Sequence, residues 1–282
     1  MLHMESYSVI LATAAFLALY IFIFSAGGWL KNLLTAYDVE DELVKKDNPA
    51  AGLSLAGYYL AITLVFIGAA MGPEVHLARD ILLVGGYAVA GVVFLNISRW
   101  FNDRFIFGSF SNAKEIAEDR NTGLGFVSMG TYIATGLIAA ASVHGEGGGI
   151  VTAFVFFVMG QASLFVFSYV YDLITPYALR EEVEKDNTAA GIAYGGTLVA
   201  LGLIAAHGAH GDFISWEYNL MRFAKLTLAG FVVLPLARFL LERLLIRGDT
   251  LGREIAEDKN VAAGTLEATI AICFALVIIV LL

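Results

Sequence analysis

Four copies of one short polar motif hold most of the side chains in this sequence that could do chemistry. Each copy has a glutamate, an asparagine six residues later and a glycine four residues after that, directly before a long apolar run. Carboxylates and amides that meet at one end of a helical bundle can form a charged ring at the mouth of an ion path. The pairs that predict such a ring are Glu42 and Asn48, Glu115 and Asn121, Glu181 and Asn187, and Glu254 and Asn260.

A structural interpretation of the same motif is also open. Asparagine caps the free amides of a first helical turn, and glutamates beside it would then lie on solvated faces. Small residues let membrane helices cross closely, which suits the glycine of each copy. These glycines are Gly52, Gly125, Gly191 and Gly264.

Glu267 is the one ionisable residue inside the last apolar run. It follows Asn260 by seven residues, which is about 10 Å along a helix at 1.5 Å per residue. An acid at this depth in a membrane is costly and indicates a proton-linked or cation-binding group. The alternative is a carboxyl that is neutral, or paired with Arg99 or Arg238, and only locks two helices. Glu267, Arg99 and Arg238 are all candidates for an ion path. The other three copies of the motif have Leu55, Ser128 and Tyr194 at the position of Glu267.

All five histidines are predicted on the opposite face from the motifs, and four of them are candidate metal ligands. Histidine and nearby carboxylates suit zinc, copper or nickel, and histidine titrates near neutral pH. No spacing matches a strong metal signature, and polar residues are expected in loops in any case. The candidates are His76, His144, His207 and His210.

Composition places the chain in a membrane. Hydrophobic residues make up 59% of the 282 residues, charged residues 15%, and the mean hydropathy is +0.75. A helix needs about 20 apolar residues to cross a bilayer, and continuous runs of that length exclude a β-barrel. The sequence predicts an all-α bundle of eight transmembrane helices, at 7–30, 50–71, 80–98, 122–143, 150–171, 188–207, 219–237 and 261–282.

The chain is a duplication of a duplication. The separation in sequence from Asn48 to Asn187 equals that from Asn121 to Asn260. A period this regular predicts repeated structural units. We expect two pseudo-symmetric halves, 1–143 and 144–282, each with two helical hairpins, and four hairpins that all run the same way through the membrane.

The basic residues predict the orientation. Lysine and arginine near the spans favour the cytoplasmic side. Fourteen of the seventeen basic residues lie in segments on the motif side, and three lie on the opposite side. The motifs are therefore predicted to face the cytoplasm, with both termini on the periplasmic side of a bacterial inner membrane.

Two motif regions resemble a known family. The matching stretches are LTAYD at 34–38 with NPAAG at 48–52, and ITPY at 174–177 with NTAAGIA at 187–193. They are similar to the bacterial inner-membrane proteins called domain of unknown function 350, the YjfL-like proteins. Members are typically four-span proteins, so the resemblance implies two tandem copies over nearly the whole chain. It implies fold and location, and no activity.

Two positions depart from the family pattern. The usual glycine before the motif asparagine is Asp47 or Asp186 here, and Ala36 stands where the family favours proline.

Two functions remain open from the sequence. The first is an ion or small-solute channel or transporter lined by Glu267 and the motifs. The second is a non-transporting scaffold or envelope-stress sensor that docks a cytoplasmic protein on its acidic segments. The usual enzyme signatures are absent, so we expect no catalysis, no cofactor and no nucleic acid. We expect the protein to contact the lipid bilayer and to form a homo-oligomer.

Overall fold

The computed structural model describes residues 2–71, 76–105, 112–245 and 248–282. Eight helices in these residues are long and apolar enough to cross a membrane, which confirms the predicted all-α transmembrane class. A π-helical turn, Asp41–Lys45, precedes the second helix. In chain order the helices are α1 (Leu2–Leu34), α2 (Pro49–Ala70), α3 (Leu77–Phe105), α4 (Asn112–Ala117), α5 (Thr122–Val143), α6 (Ile150–Ile174), α7 (Leu179–Glu184), α8 (Thr188–Ala209), α9 (Trp216–Leu245), α10 (Leu251–Ala256) and α11 (Val261–Leu281).

Two spans extend furthest past their predicted polar ends. The predicted third span stops at residue 98 and the seventh at residue 237, whereas α3 and α9 continue to Phe105 and Leu245. No proline or glycine interrupts 99–105 or 238–245, so nothing ends the helix where the charged residues begin. Charged groups near the pockets described below are thereby held on rigid helices.

The spanning helices form two layers. Helices α2, α5, α8 and α11 lie side by side as a core layer, in which each packs against the next. Helices α3, α6 and α9 form a second layer, and each contacts two neighbouring core helices. Helix α1 stands at the end of that layer and packs on α2 and α3. The core layer crosses the boundary between the halves without a break, because α5 packs directly on α8.

The core helices run parallel and approach closely. Gly57 of α2 meets Met129 of α5, and Gly68, eleven residues further, meets Ala140. A methyl group at Gly57 would lie 2.5 Å from the Met129 Cα, so only glycine permits this approach. Equal steps along both helices require the same direction, which confirms four parallel two-helix repeats.

The motif glycines pack backwards along the layer. Three of these glycines pack against the backbone of the preceding core helix. Gly125 of α5 contacts α2, Gly191 of α8 contacts α5, and Gly264 of α11 contacts α8. Gly52, in the first copy, has no preceding core helix and faces only the Leu43 side chain. The predicted role in close helix crossing is therefore observed for three of the four glycines.

The core layer is an open row and not a ring. Among the described residues, α11 makes no packing with α2 comparable to the contacts within the row. The position nine residues after the motif asparagine is Gly57, Gly130 or Gly196 in the first three copies, and an exposed Thr269 in the last. The four motifs of one chain therefore do not surround a common centre, because the helices pack in a line that ends at α11.

The residue before each motif asparagine adopts a left-handed backbone conformation. The φ angles are 48° at Asp47, 53° at Arg120, 54° at Asp186 and 49° at Lys259. Side chains other than glycine are strained there. This geometry explains why the family that the sequence resembles favours glycine at the position.

We expect Lys259→Gly to raise the free energy of unfolding by about 1 kcal/mol, because glycine adopts a positive φ without the steric cost. The measurement is the apparent melting temperature in detergent. Lys259→Ala is the matched control, since it removes the same side chain and retains the strain. A glycine variant no more stable than the alanine variant would contradict the prediction.

Candidate functional site

Each motif asparagine forms hydrogen bonds within its own copy of the motif. In the first copy, Asn48 Oδ1 accepts hydrogen bonds from the amides of Ala50 and Ala51 at 3.0 and 3.2 Å. Its Nδ2 donates to Glu42 Oε2 at 2.8 Å, and its backbone N–H donates to the Glu42 carbonyl. The same carboxylate contact joins Asn121 to Glu115 and Asn260 to Glu254. All four asparagines are helix N-caps, as the structural interpretation predicts.

The third copy uses a different glutamate. Asn187 Nδ2 donates to Glu182 at 2.8 Å, whereas the predicted Glu181 is exposed and pairs with Lys185. The turn before Asn187 is one residue tighter, since its N–H reaches the Glu182 carbonyl five residues back instead of six. Glu181 is therefore not the motif partner. The third copy has two adjacent glutamates, Glu181 and Glu182, so the sequence alone leaves the partner of Asn187 ambiguous.

The asparagines also join neighbouring copies. Asn48 donates to the Ile116 carbonyl at 2.7 Å, Asn121 to that of Val183 at 2.7 Å, and Asn187 to that of Ile255 at 2.8 Å. Each bond runs to the short helix of the next copy. In the described part of the chain, Asn260 makes no such bond. The amides are thus committed to the fold and do not project towards an ion path.

Glu42 remains a buried carboxylate at the end of the bundle that carries the motifs, called the motif face here. Burial raises the pKa of this carboxyl, but hydrogen bonds from Lys46 and Asn48 lower it by more, and the net shift is downward. Opposite charge and donated hydrogen bonds favour the ionised form. Glu42 therefore stabilises the first turn and is not poised to exchange protons at neutral pH.

We expect Asn187→Ala to destabilise the protein more than Asn260→Ala. Both variants lose a helix cap, which costs about 1 kcal/mol, and a bond to glutamate. Only Asn187→Ala also leaves the buried Ile255 carbonyl without its partner, for a further 1–3 kcal/mol or so. Asn121→Ala should resemble Asn187→Ala. Equal losses of the apparent melting temperature at positions 187 and 260 would contradict the ladder of bonds between copies.

Each half holds a polar pocket between its two layers, near the motif face. The second-half pocket is lined by Tyr171, Leu234, Arg238, Leu241, Glu267, Ile270 and Ala271. The first-half pocket is lined by Lys31, Leu95, Arg99, Asn102, Ser128, Thr131 and Tyr132, which occupy the equivalent positions of the first half.

The second-half pocket is closed by a buried ion pair. Glu267 is 3% exposed and Arg238 is 9% exposed, and Arg238 Nη1 contacts Glu267 Oε1. The Tyr171 hydroxyl donates to the same oxygen at 2.7 Å. The cavity that remains is about 10 Å³, near the lower limit for one water molecule. Glu267 thus locks α6, α9 and α11 together, and its partner is Arg238 and not Arg99.

The first-half pocket is more open and more polar. Lys31 is 2% exposed, and its Nζ donates to Ser54 Oγ at 3.3 Å and to the Tyr132 hydroxyl at 3.1 Å. The ammonium also lies 4.6 Å from the centre of the Tyr132 ring, a cation–π contact. Arg99 lines the same cavity, whose volume is about 30 Å³.

Sequence reasoning missed Lys31 as a site residue. It stands just past the predicted end of the first span, where a lysine normally extends to the headgroups. In the structure α1 continues to Leu34, so Lys31 is held inside the bundle.

The buried Arg238–Glu267 ion pair leads to a separate prediction about stability. We expect Glu267→Gln to cost about 3–5 kcal/mol, because it leaves the Arg238 charge buried. The double variant Arg238→Met with Glu267→Met should lose less than that, since no buried charge remains. Apparent melting temperatures of the two single variants and the double variant measure the coupling. Losses that simply add would contradict a coupled pair.

The histidines do not gather into one site. The rings of His144 and His210 stack with centroids 4.3 Å apart, and His207 lies one helical turn away in α8. His76 lines a different cavity, with Arg79 and Asp80. Within the described residues, the group of three side chains close enough to share a metal ion contains no histidine; it is Asp249, Glu254 and Asp258. Metal binding by the histidines stays a prediction.

Burial lowers the pKa of His210, and the nearby charges of His144, Arg222 and His207 lower it further. Its neutral ring is therefore favoured at neutral pH.

These features define a multi-pass membrane protein built from four copies of one helical hairpin. The chain belongs to the family described as Domain of Unknown Function (DUF350), whose model matches residues 4–143 and 147–282. It is similar to a UPF0719 transmembrane protein of Aquifex aeolicus (strain VF5), with 22% identity over 235 residues that cover 82% of this chain and 85% of that protein. No solved structure matches the chain.

Proposed function

We propose that the protein carries a small solute or ion across the membrane, with the first-half pocket as the solute site. The observation that carries the proposal is the difference between the two pockets. The second-half pocket is filled by its own ion pair, whereas the first-half pocket keeps two cationic side chains around a cavity. Charged residues inside a membrane are costly, and those that face a cavity mark solute pathways.

The proposal moves the centre of activity from Glu267 to Lys31. Glu267 already has Arg238 and Tyr171 as partners, and the cavity beside it has room for at most one water molecule. A carboxylate that an arginine and a tyrosine hold in so small a cavity supports the fold. The motif asparagines have a structural role as well, because their hydrogen-bonding groups serve the caps and the neighbouring copies.

The packing favours one kind of movement. Gly130 and Gly195 meet backbone to backbone across the boundary between the halves, so the core layer resists rocking of one half against the other. The first-half pocket lies between this layer and α1 with α3. Opening of the pocket would therefore come from the second layer moving over a fixed core, as one bundle moves against another in known transporters.

The proposed orientation follows the positive-inside rule. With fourteen basic residues on the motif side, the motif face lies in the cytoplasm of a bacterium and both termini lie on the periplasmic side of its inner membrane. Ser54 follows Asn48 by six residues, about 9 Å along α2. The pocket is thus near the cytoplasmic edge of the bilayer.

We propose a non-catalytic role, because the lining of the first-half pocket has hydroxyl, amide and cationic groups but no cysteine or histidine. A scaffold is the second candidate. It is supported by the exposed acidic groups of the motif face, among them Glu181 and Glu257, which would suit a basic partner.

The test is solute flux in liposomes that contain the purified protein, measured for chloride, formate, potassium and protons. We expect Lys31→Met to reduce the transported flux at least about tenfold, a loss of roughly 1.4 kcal/mol of solute stabilisation. Lys225→Met is the matched control, because Lys225 is exposed on the opposite face. Absence of flux for every solute, or equal flux in the Lys31→Met variant, would contradict the proposal.

A further inference from the structure

We infer that the protein assembles head to tail with further copies of itself in the membrane. Gly52 and Ala56 form a free face of α2, and Ala262 and Thr269 form a free face of α11. The free face of α11 in one copy packs on the free face of α2 in the next. This assembly goes beyond the proposed function and does not depend on it.

The chain already contains the interface that such an assembly would use. Three interfaces join the four core helices, and all three use the same positions. The residue four after a motif asparagine packs on the residue two after the asparagine of the preceding copy, as Gly125 does on Ala50. The residue nine after an asparagine packs on the residue eight after the next one, as Gly196 does on Ala268. Each core helix therefore has one face for the helix before it and another for the helix after it.

The first core helix keeps a face for a preceding helix that the chain does not supply. A methyl group at Gly52, four residues after Asn48, would meet only the Leu43 side chain, at 3.6 Å, among the described residues. Ala56, eight residues after Asn48, is exposed. Glycine is unfavourable inside a helix, and no contact in the described part of the chain requires it at position 52. Both residues are small enough for the close packing of the other interfaces.

The last core helix carries the complementary face. Ala262 and Thr269 stand two and nine residues after Asn260, at the positions that contact a following helix elsewhere in the row, and both are exposed. The register of the row would bring Ala262 to Gly52 and Thr269 to Ala56 of the next copy. Threonine is larger than the glycine of the other copies at this position, so the interface between copies is less close than the three inside the chain.

Helix α1 is also less covered than its counterpart in the second half. Helix α6 packs on the two core helices α5 and α8, whereas α2 is the one core helix on which α1 packs to a comparable extent. In the part of the chain that the structure describes, 6% of the most apolar stretch of α1 is buried, compared with 33% for α6. Helix α11 of another copy would pack on α1 as α5 packs on α6.

The hydrogen bonds between the motif copies have the same open ends. Asn187 donates to the carbonyl of Ile255, which lies five residues before the asparagine of the next copy. The equivalent carbonyl of the first copy belongs to Leu43, and within the described ranges none of the four motif asparagines donates to it. Asn260 makes no bond to a further copy in its own chain. The assembly would let Asn260 donate to the Leu43 carbonyl of the next copy.

A contact between two different faces is heterologous. It joins copies into a closed ring or an open row, and in both cases it covers the free faces of α2 and α11 together. Two copies that meet through α11 alone would leave α2 and α1 uncovered. Close approach of helices is what drives association in a bilayer, and small residues on both faces permit it.

The test is cysteine cross-linking in native membranes, in a Cys273→Ser background that has no other cysteine. We expect Ala56→Cys and Thr269→Cys proteins, expressed together and oxidised with copper phenanthroline, to form a disulfide-linked dimer. Neither single-cysteine protein should cross-link with itself, because each position meets the other face. Leu173→Cys expressed with Ala56→Cys is the matched control, since Leu173 is exposed on the second layer.

A second variant tests the assembly without cysteines. Ala56→Phe places a large side chain on the free face of α2 and should weaken association at least about tenfold. Energy transfer between differently labelled copies in liposomes measures this loss. The apparent melting temperature should not fall, because Ala56 is exposed within one chain. Leu173→Phe is the control and should leave the energy transfer unchanged.

The outcomes distinguish the possible partners of the free faces. A dimer of the Ala56→Cys and Thr269→Cys proteins, with energy transfer that Ala56→Phe reduces, would support the head-to-tail assembly. A dimer of the Thr269→Cys protein with itself would indicate a symmetric α11 pair and overturn the inference. Absence of both dimers, with energy transfer that Ala56→Phe leaves unchanged, would assign the free faces to lipid and overturn it as well. None of these results depends on whether the protein transports a solute.

Discussion

Direct backbone contact between parallel helices is the constraint on which the rest of this structure depends. Gly57 against Met129, Gly130 against Gly195, and Gly196 against Ala268 are three steps of one row. Lipid is as apolar as a helix surface, so association in a bilayer depends on such close packing and on hydrogen bonds. The row fixes the register in which each motif asparagine reaches the next copy. Each of the second-layer helices α3, α6 and α9 packs on two neighbouring core helices, so equivalent positions of the two halves line equivalent pockets.

On this common frame the halves have diverged in what they bury. The second half buries a carboxylate with a guanidinium and leaves almost no cavity. The first half buries a lysine among Tyr58, Ser54 and Tyr132 and keeps space beside Arg99. A buried ion pair contributes little net stability relative to apolar packing, yet it is costly to break. We therefore assign Glu267 to the integrity of the second half, and the polar lining of the first half to recognition of a solute.

Sequence alone predicted the eight spans, their common direction and the capping asparagines, because these depend on apolar length and on local turn chemistry. It did not predict that the row is open, since the neighbour of a helix is decided by packing, and Thr269 in place of glycine is a weak signal. It named Glu181 instead of Glu182, because the choice depends on one residue of helical winding. It also missed Lys31, because a lysine at the end of an apolar run suggests the headgroup layer, whereas the extended α1 holds it inside.

We propose the first-half pocket as the solute site and the second-half pocket as a closed copy of it. The most direct measurement is the electron density of crystals grown with the solute whose flux Lys31→Met reduces. The account predicts density for that solute beside Lys31 in the first-half pocket, and none beside Arg238. Density absent from the first-half pocket, or equal density in both pockets, would contradict it.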